Sequence, residues 1–125
     1  MKDLDAAAKK YSAVLGVEPK PFNPDEFALP GLRGITFSMG DVDITLVTGD
    51  PGTPIAKFLE SRGEGVFLLS LEVTDVEEDM KEIAKKGVEF VVDKPMTSKA
   101  GGKVNWGHPR SMHGVQWEFY QPPKS

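Results

Sequence analysis

Apolar side chains at Leu4, Ala7, Ala8, Tyr11, Val14 and Leu15 recur at the spacing of a single helix face, which predicts a helix from Asp3 to Gly16. Gly16 stands where a helix closes through a left-handed residue, a conformation glycine enters without a Cβ penalty. The plan returns from Asp75 to Gly87, with Val76, Met80, Ile83 and Ala84 as the stripe. Asp75 is placed to cap this second helix, Glu78 follows three residues on, and Gly87 ends it. The two helices superpose at an offset of about 72 residues, so the chain reads as a duplicated unit.

Period-two patterns supply the strands. After each helix comes a Gly-Val step, Gly16-Val17 and Gly87-Val88, and a short extended stretch; Pro19 and Pro21 make the first of these edge-like or irregular. Gly34 to Met39 and Val42 to Val47 then alternate across Gly40-Asp41, the signature of a tight hairpin. Their counterparts are Lys103 to Gly107 and Val115 to Tyr120. Thr53-Pro54 caps a linker helix carrying Ile55, Phe58 and Leu59 and stopped by Gly63. The expected organisation is one domain: repeat one over residues 1–50, a linker helix over 53–63, and repeat two over 64–121.

The copies differ at their start. Gly65 to Val73 (GVFLLSLEV) is dense enough in apolar residues to predict a well-buried strand opening the second copy, whereas at the repeat offset Val73 falls on Met1. The first copy therefore lacks its opening strand. Such a strand buries several side chains at roughly 1.5 to 3 kcal/mol each. The slot is expected to be filled by a partner chain, by rearrangement of the fold, or by residues upstream of Met1, the last being favoured.

Composition narrows the function classes. With 125 residues and 39% hydrophobic content the chain suits a single core, and 15 basic against 19 acidic residues give a net charge of −4 without single-sign blocks. Nucleic acid, which calls for a basic face, is not an expected partner. No apolar run approaches the roughly 18 to 20 residues of a membrane span, so no membrane is expected and the reading is cytoplasmic. The absence of Cys removes disulfides and thiolate chemistry and is consistent with a reducing compartment.

Twice-repeated βαβββ units, with PIAKFLESRGEG at residues 54–65 between them and HPRSMHGVQWEF at residues 108–119, resemble the vicinal oxygen chelate superfamily of glyoxalases, bleomycin resistance proteins and dioxygenases. Within it the pattern is most similar to the methylmalonyl-CoA epimerases. The resemblance implies an α+β fold in which paired βαβββ repeats form a cup-shaped mixed sheet, here with the first repeat lacking its opening strand. It also implies a divalent metal held by one residue from each of four strands, acting as a Lewis acid on a developing enolate. Carried over residue by residue, the first ligand falls on the absent strand, the second on Thr45, the third on Leu68 and the fourth on Glu118. Leu68 cannot bind a metal and Thr45 is a weak donor, so Glu118 is the only family-matching ligand, no metal site is complete, and no cofactor is firmly expected. The epimerases' general base falls near Leu29, before Gly31-Leu32-Arg33, which leaves the acid-base pair incomplete.

Strand parity groups the candidates. Gln116, Glu118 and Tyr120 share one side of the last strand and Val115, Trp117 and Phe119 the other; Asp43, Thr45 and Val47 alternate likewise with Ile44 and Leu46. In the opening strand Phe67, Leu69 and Leu71 are expected toward the helices, with Val66, Leu68 and Ser70 opposite. Glu118 is the catalytic candidate, as ligand or base, against a solvated carboxylate. Trp106, with Trp117 and Phe67, is a candidate stacking pocket against ordinary core. His108, in a segment resembling the epimerases' HPKS loop, and Arg110 are candidates for a ligand's polar or phosphate groups, against surface roles; His113 has the same bland alternative. Lys99 to Lys103 reads as a loop at the mouth of the cup. The expected function is a diverged glyoxalase- or epimerase-like protein that binds a small molecule, with Thr45, Leu68, Trp106, His108, Arg110 and Gln116 as its ligand-binding residues. The alternative is a metal-dependent isomerase or lyase whose missing ligand comes from an absent strand or partner chain. A homodimer, with strands or repeats exchanged, is expected under both, because an open sheet edge invites pairing.

Overall fold

The computed structural model describes residues 1–124. It is an α+β chain that divides into two compact units, Met1–Gly65 and Val66 onward, each with its own sheet.

In the first unit, helix α1 (Leu4–Leu15) begins at Asp3, whose carboxylate accepts from the Ala6 amide, and ends at Gly16 with φ 68°. The Gly16 cap is the one the sequence predicts. Strand β1 (Lys20–Pro21) is a two-residue edge piece, as its prolines require, and pairs antiparallel with β2 (Leu32–Met39). β2 turns through Gly40, at φ 71°, into β3 (Val42–Gly49), giving the sheet order β1-β2-β3. Phe37 is fully buried and Leu46 nearly so, on the face that α1 covers. Along α1, Tyr11 and Val14 remain exposed, so the apolar stripe is wider than the face that packs. Helix α2 (Pro54–Arg62), the linker helix, starts at Thr53 and buries Ile55 and Ala56 while packing on β3.

The second unit carries β4 (Leu69–Glu72), α3 (Val76–Lys85), β5 (Met96–Thr97), β6 (Lys103–Gly107) and β7 (Trp117–Gln121), with sheet order β4-β7-β6-β5. Asp75 caps α3 by accepting from the Glu78 amide. Val76 is fully buried beneath this helix, which packs on β6 and β7. The predicted opening strand needs correction. It is formed only over Leu69–Glu72, and Leu69 and Leu71 are 44% and 47% exposed instead of well buried. The reason lies in the sheet order: β4 ends the sheet, pairs only with β7, and lies beyond the strands that α3 covers.

One rung shows how closely the repeat is kept. In the second unit the Val73 amide donates to the Tyr120 carbonyl at 2.8 Å, closing the parallel β4-β7 ladder. In the first, the Met1 amino group donates to the Val47 carbonyl at 2.7 Å. Those pairs are related by shifts of 72 and 73 residues. No strand flanks β3 on that side among the described residues.

Candidate functional site

The β4-β7-β6 registers set Ser70 and Trp106 directly beside Glu118. Side chains on neighbouring strands at matched positions share a face. Ser70 Oγ donates to Glu118 Oε1 at 2.8 Å, and Trp106 Nε1 donates to Glu118 Oε2 at 2.8 Å. Each carboxylate oxygen therefore accepts one hydrogen bond from a neutral donor. Ser70 is exposed, while Glu118 and Trp106 are half-buried. Leaving a carboxylate partly withdrawn from water is costly without such donors.

Alternation assigns Glu72, Tyr120, Val104 and Met96 to this same face, as the next row of the sheet. Tyr120 lies against Gly102, where an added Cβ would stand 2.8 Å from the ring. The opposite face carries Trp117, Phe119, Asn105 and Lys103. Asn105, fully buried, donates to the Val92 carbonyl and toward Met80 Sδ of α3, and its Oδ1 accepts from the Trp106 amide at 2.8 Å. Phe119 packs with Phe90 at 5.9 Å. Trp106 and Trp117 thus stand on opposite faces and do not form the common stacking pocket that the sequence suggests. The parity expected for Ser70, Leu69, Leu71, Glu118 and Phe119 is the one observed.

His108 and Arg110 belong to a braced turn. Pro109–Ser111 forms a 3-10 turn whose first amide, Arg110, donates to His108 Nδ1 at 3.1 Å. That contact fixes Nδ1 as the acceptor and leaves Nε2 as the outward donor. Ser111 Oγ donates to the His108 carbonyl and accepts from the Glu89 amide. Arg110 grips the Glu89 carboxylate through both Nε and Nη2. The guanidinium hydrogen bond holds the Glu89 carboxyl below, and the Arg110 guanidinium above, their ordinary values. Arg110 is thus engaged within its own unit. His113 adopts φ 55° and exposes its side chain at the end of this turn. Gln116 precedes β7, and its carbonyl accepts from the Leu69 amide.

Lys99 to Lys103 forms a turn in which Ser98 receives the Gly101 amide and donates its own to Gly102. Lys103 pairs with Glu77 of α3 at 2.9 Å, a hydrogen bond that raises the lysine's pKa. Sequence reasoning missed Ser70 as a partner of Glu118 and missed Ser98, whose buried hydroxyl has no hydrogen-bond partner among the described residues. The Ser70–Glu118 contact depends on strand register over a separation of 48 residues.

Thr45 lies in the first unit, where its hydroxyl is 2.9 Å from that of Thr36. Leu68, just before β4, is half-buried. The donor set implied by the family resemblance does not fit a divalent metal. Leu68 offers no donor, Thr45 shares its hydroxyl with Thr36, and Glu118 is held by Ser70 and Trp106. No group of three or more His, Cys, Asp or Glu suited to a metal occurs among the described residues. Nor is any helix among them long and apolar enough to cross a membrane.

Comparison with known proteins places this geometry in a family. Residues 1–106 match the model of the glyoxalase/bleomycin resistance protein/dioxygenase superfamily. Among solved structures, a hypothetical protein from Bacillus halodurans C-125 is 27% identical with TM-score 0.86, covering 100% of this chain and 90% of its own. Methylmalonyl-CoA epimerase from Mycobacterium tuberculosis is 28% identical with TM-score 0.80, covering 99% and 83%. A variant of the Streptomyces coelicolor methylmalonyl-CoA epimerase, in complex with 2-nitronate-propionyl-CoA, is 26% identical with TM-score 0.82, covering 98% and 91%. No curated protein matches the chain. With the family model spanning most of its length and the same fold in these relatives, the chain belongs to the glyoxalase/bleomycin resistance protein/dioxygenase superfamily.

Proposed function

We propose that this protein binds a small organic molecule on the face of the second sheet that carries Glu118, without a fixed divalent metal. The observation that carries the reading is the environment of Glu118. Its two oxygens are held by Ser70 and Trp106, which orients the carboxylate as an acceptor beside an indole. An oriented polar group set among aromatic side chains, here Trp106 and Tyr120, is the usual composition of a ligand surface. The test is metal content by mass spectrometry on protein purified without chelator and reloaded with Co²⁺, Mn²⁺, Ni²⁺ or Zn²⁺. Substoichiometric metal, unchanged in Glu118→Ala, is expected. Near-stoichiometric metal lost in that variant overturns the metal-free reading.

A second reading, an isomerase or lyase, is favoured by the likeness to methylmalonyl-CoA epimerases, one of them bound to a propionyl-CoA analogue. It calls for proton exchange at the carbon between the carboxylate and the thioester of methylmalonyl-CoA. Incubation of that compound in D₂O distinguishes the two: deuterium uptake that depends on Glu118 supports the enzyme, and none supports the binder. The open edges of β3 and β4 suit a homodimer, which sedimentation equilibrium tests.

A further inference from the structure

Charge on the Glu118 face is one-sided. Its strand residues are Ser70, Glu72, Met96, Val104, Trp106, Glu118 and Tyr120: two carboxylates and no basic side chain. The one basic residue on these strands, Lys103, sits on the opposite face and is paired with Glu77. Arg110, in the turn after β6, is paired with Glu89. Among the described residues neither Glu72 nor Glu118 has a cationic partner. Ser70 and Trp106 orient the Glu118 carboxylate and leave its charge uncompensated.

A second and independent sign of incompleteness lies farther along this face. Ser98 continues the β5-β6 register opposite Gly102, and alternation puts it on the side of Met96 and Val104. It is only 7% exposed and its hydroxyl has no partner among the described residues. Buried polar groups are rarely left unmet. The face thus lacks both a counter-charge and a hydrogen-bond partner.

We infer that the ligand of this face is an organic cation, an aromatic or other flat molecule bearing an ammonium or amidinium group, with the cation on Glu118 beside the Trp106 indole. The inference rests on the reading of this face as the small-molecule site. Each Glu118 oxygen keeps a lone pair for a charged donor, and such hydrogen bonds are stronger than neutral ones. The Trp106 indole offers apolar surface for the flat remainder of such a ligand. A ligand that brings a carboxylate to this point meets like charge at Glu118, so the face discriminates between ligands of opposite sign.

The experiment follows the Trp106 Nε1–H resonance of ¹⁵N-labelled protein, assigned with Trp106→Phe, during titration with benzylammonium, benzyl alcohol and benzoate. Benzylammonium is expected to bind at least about tenfold more tightly than benzoate, a difference of about 1.4 kcal/mol. Its affinity falls with added salt while that of benzyl alcohol does not. Glu118→Gln removes the preference. The benzoate comparison and the salt dependence read the charge in the unaltered protein even if the Gln variant fails to fold. Benzoate binding as well as benzylammonium, or a preference that survives Glu118→Gln, overturns the cation inference and leaves the small-molecule reading standing. If none of the three probes moves the indole resonance, the small-molecule reading of this face falls as well.

Discussion

At the scale of single residues, the second unit depends on polar groups whose partners are distant in sequence. Asn105 is fully buried, and its amide ties the segment at Val92 to β6 through the Val92 carbonyl at 2.9 Å. Asn105→Ala leaves that carbonyl without its donor and opens a void, so stability is expected to fall by about 2 to 4 kcal/mol in urea unfolding. Ser98→Ala is the converse case. Because the hydroxyl makes no hydrogen bond among the described residues, removing it is expected to leave stability unchanged or raise it by up to about 1 kcal/mol in the same measurement. A loss of more than that reveals a partner for Ser98. Neither role is visible in the sequence. An Asn or a Ser within an alternating strand reads as an ordinary polar position until register decides its face and cover. Glu118, by contrast, is named as a candidate by family pattern and strand parity together; its holders Ser70 and Trp106 require the parallel β4-β7 register and the antiparallel β6-β7 register at once.

At the scale of elements, what the sequence conveyed well is local chemistry. Thr53 and Asp75 cap the helices the sequence assigns to them, since a cap is settled within three residues. Asp75→Ala is expected to cost about 1 kcal/mol by the loss of its bond to the Glu78 amide, read as a lower urea midpoint with unchanged slope. The apolar density of Gly65 to Val73 misled, because density reports what a strand can bury and not which neighbours cover it. The braced turn at His108 to Ser111 carries a pH dependence with a defined sign. Glu89 is depressed by its hydrogen bond to Arg110, so the contribution of this pair is present above the ordinary glutamate range and is lost as pH falls through the lowered value. The Arg110 Nε–H resonance is expected to move toward its free position on that acid limb and at high salt, the pair being exposed. Its absence of response between neutral and acid pH contradicts the tether.

Across the whole molecule, the duplicated plan makes each unit a reference for the other. β7 has a parallel neighbour, β4, and the equivalent strand β3 ends its sheet with the Met1 amino group on Val47 as its contact on that side. Position by position, Thr45 corresponds to Glu118 and Val47 to Tyr120 at a shift of 73 residues. The Met1–Val47 bond shows that the backbone of Val47 points to the open edge, and strand alternation gives Thr45 the same direction. Both units place a helix on one face of the sheet, so cover by helices does not distinguish these amides; pairing along the edge does. Hydrogen exchange at neutral pH is therefore expected to be orders of magnitude faster at the Thr45 and Val47 amides than at those of Glu118 and Tyr120. Equal protection means that the β3 edge is paired in solution, by a second copy or another strand. Repeating the measurement across protein concentration separates these cases, since protection supplied by a second copy weakens on dilution and protection from within the chain does not.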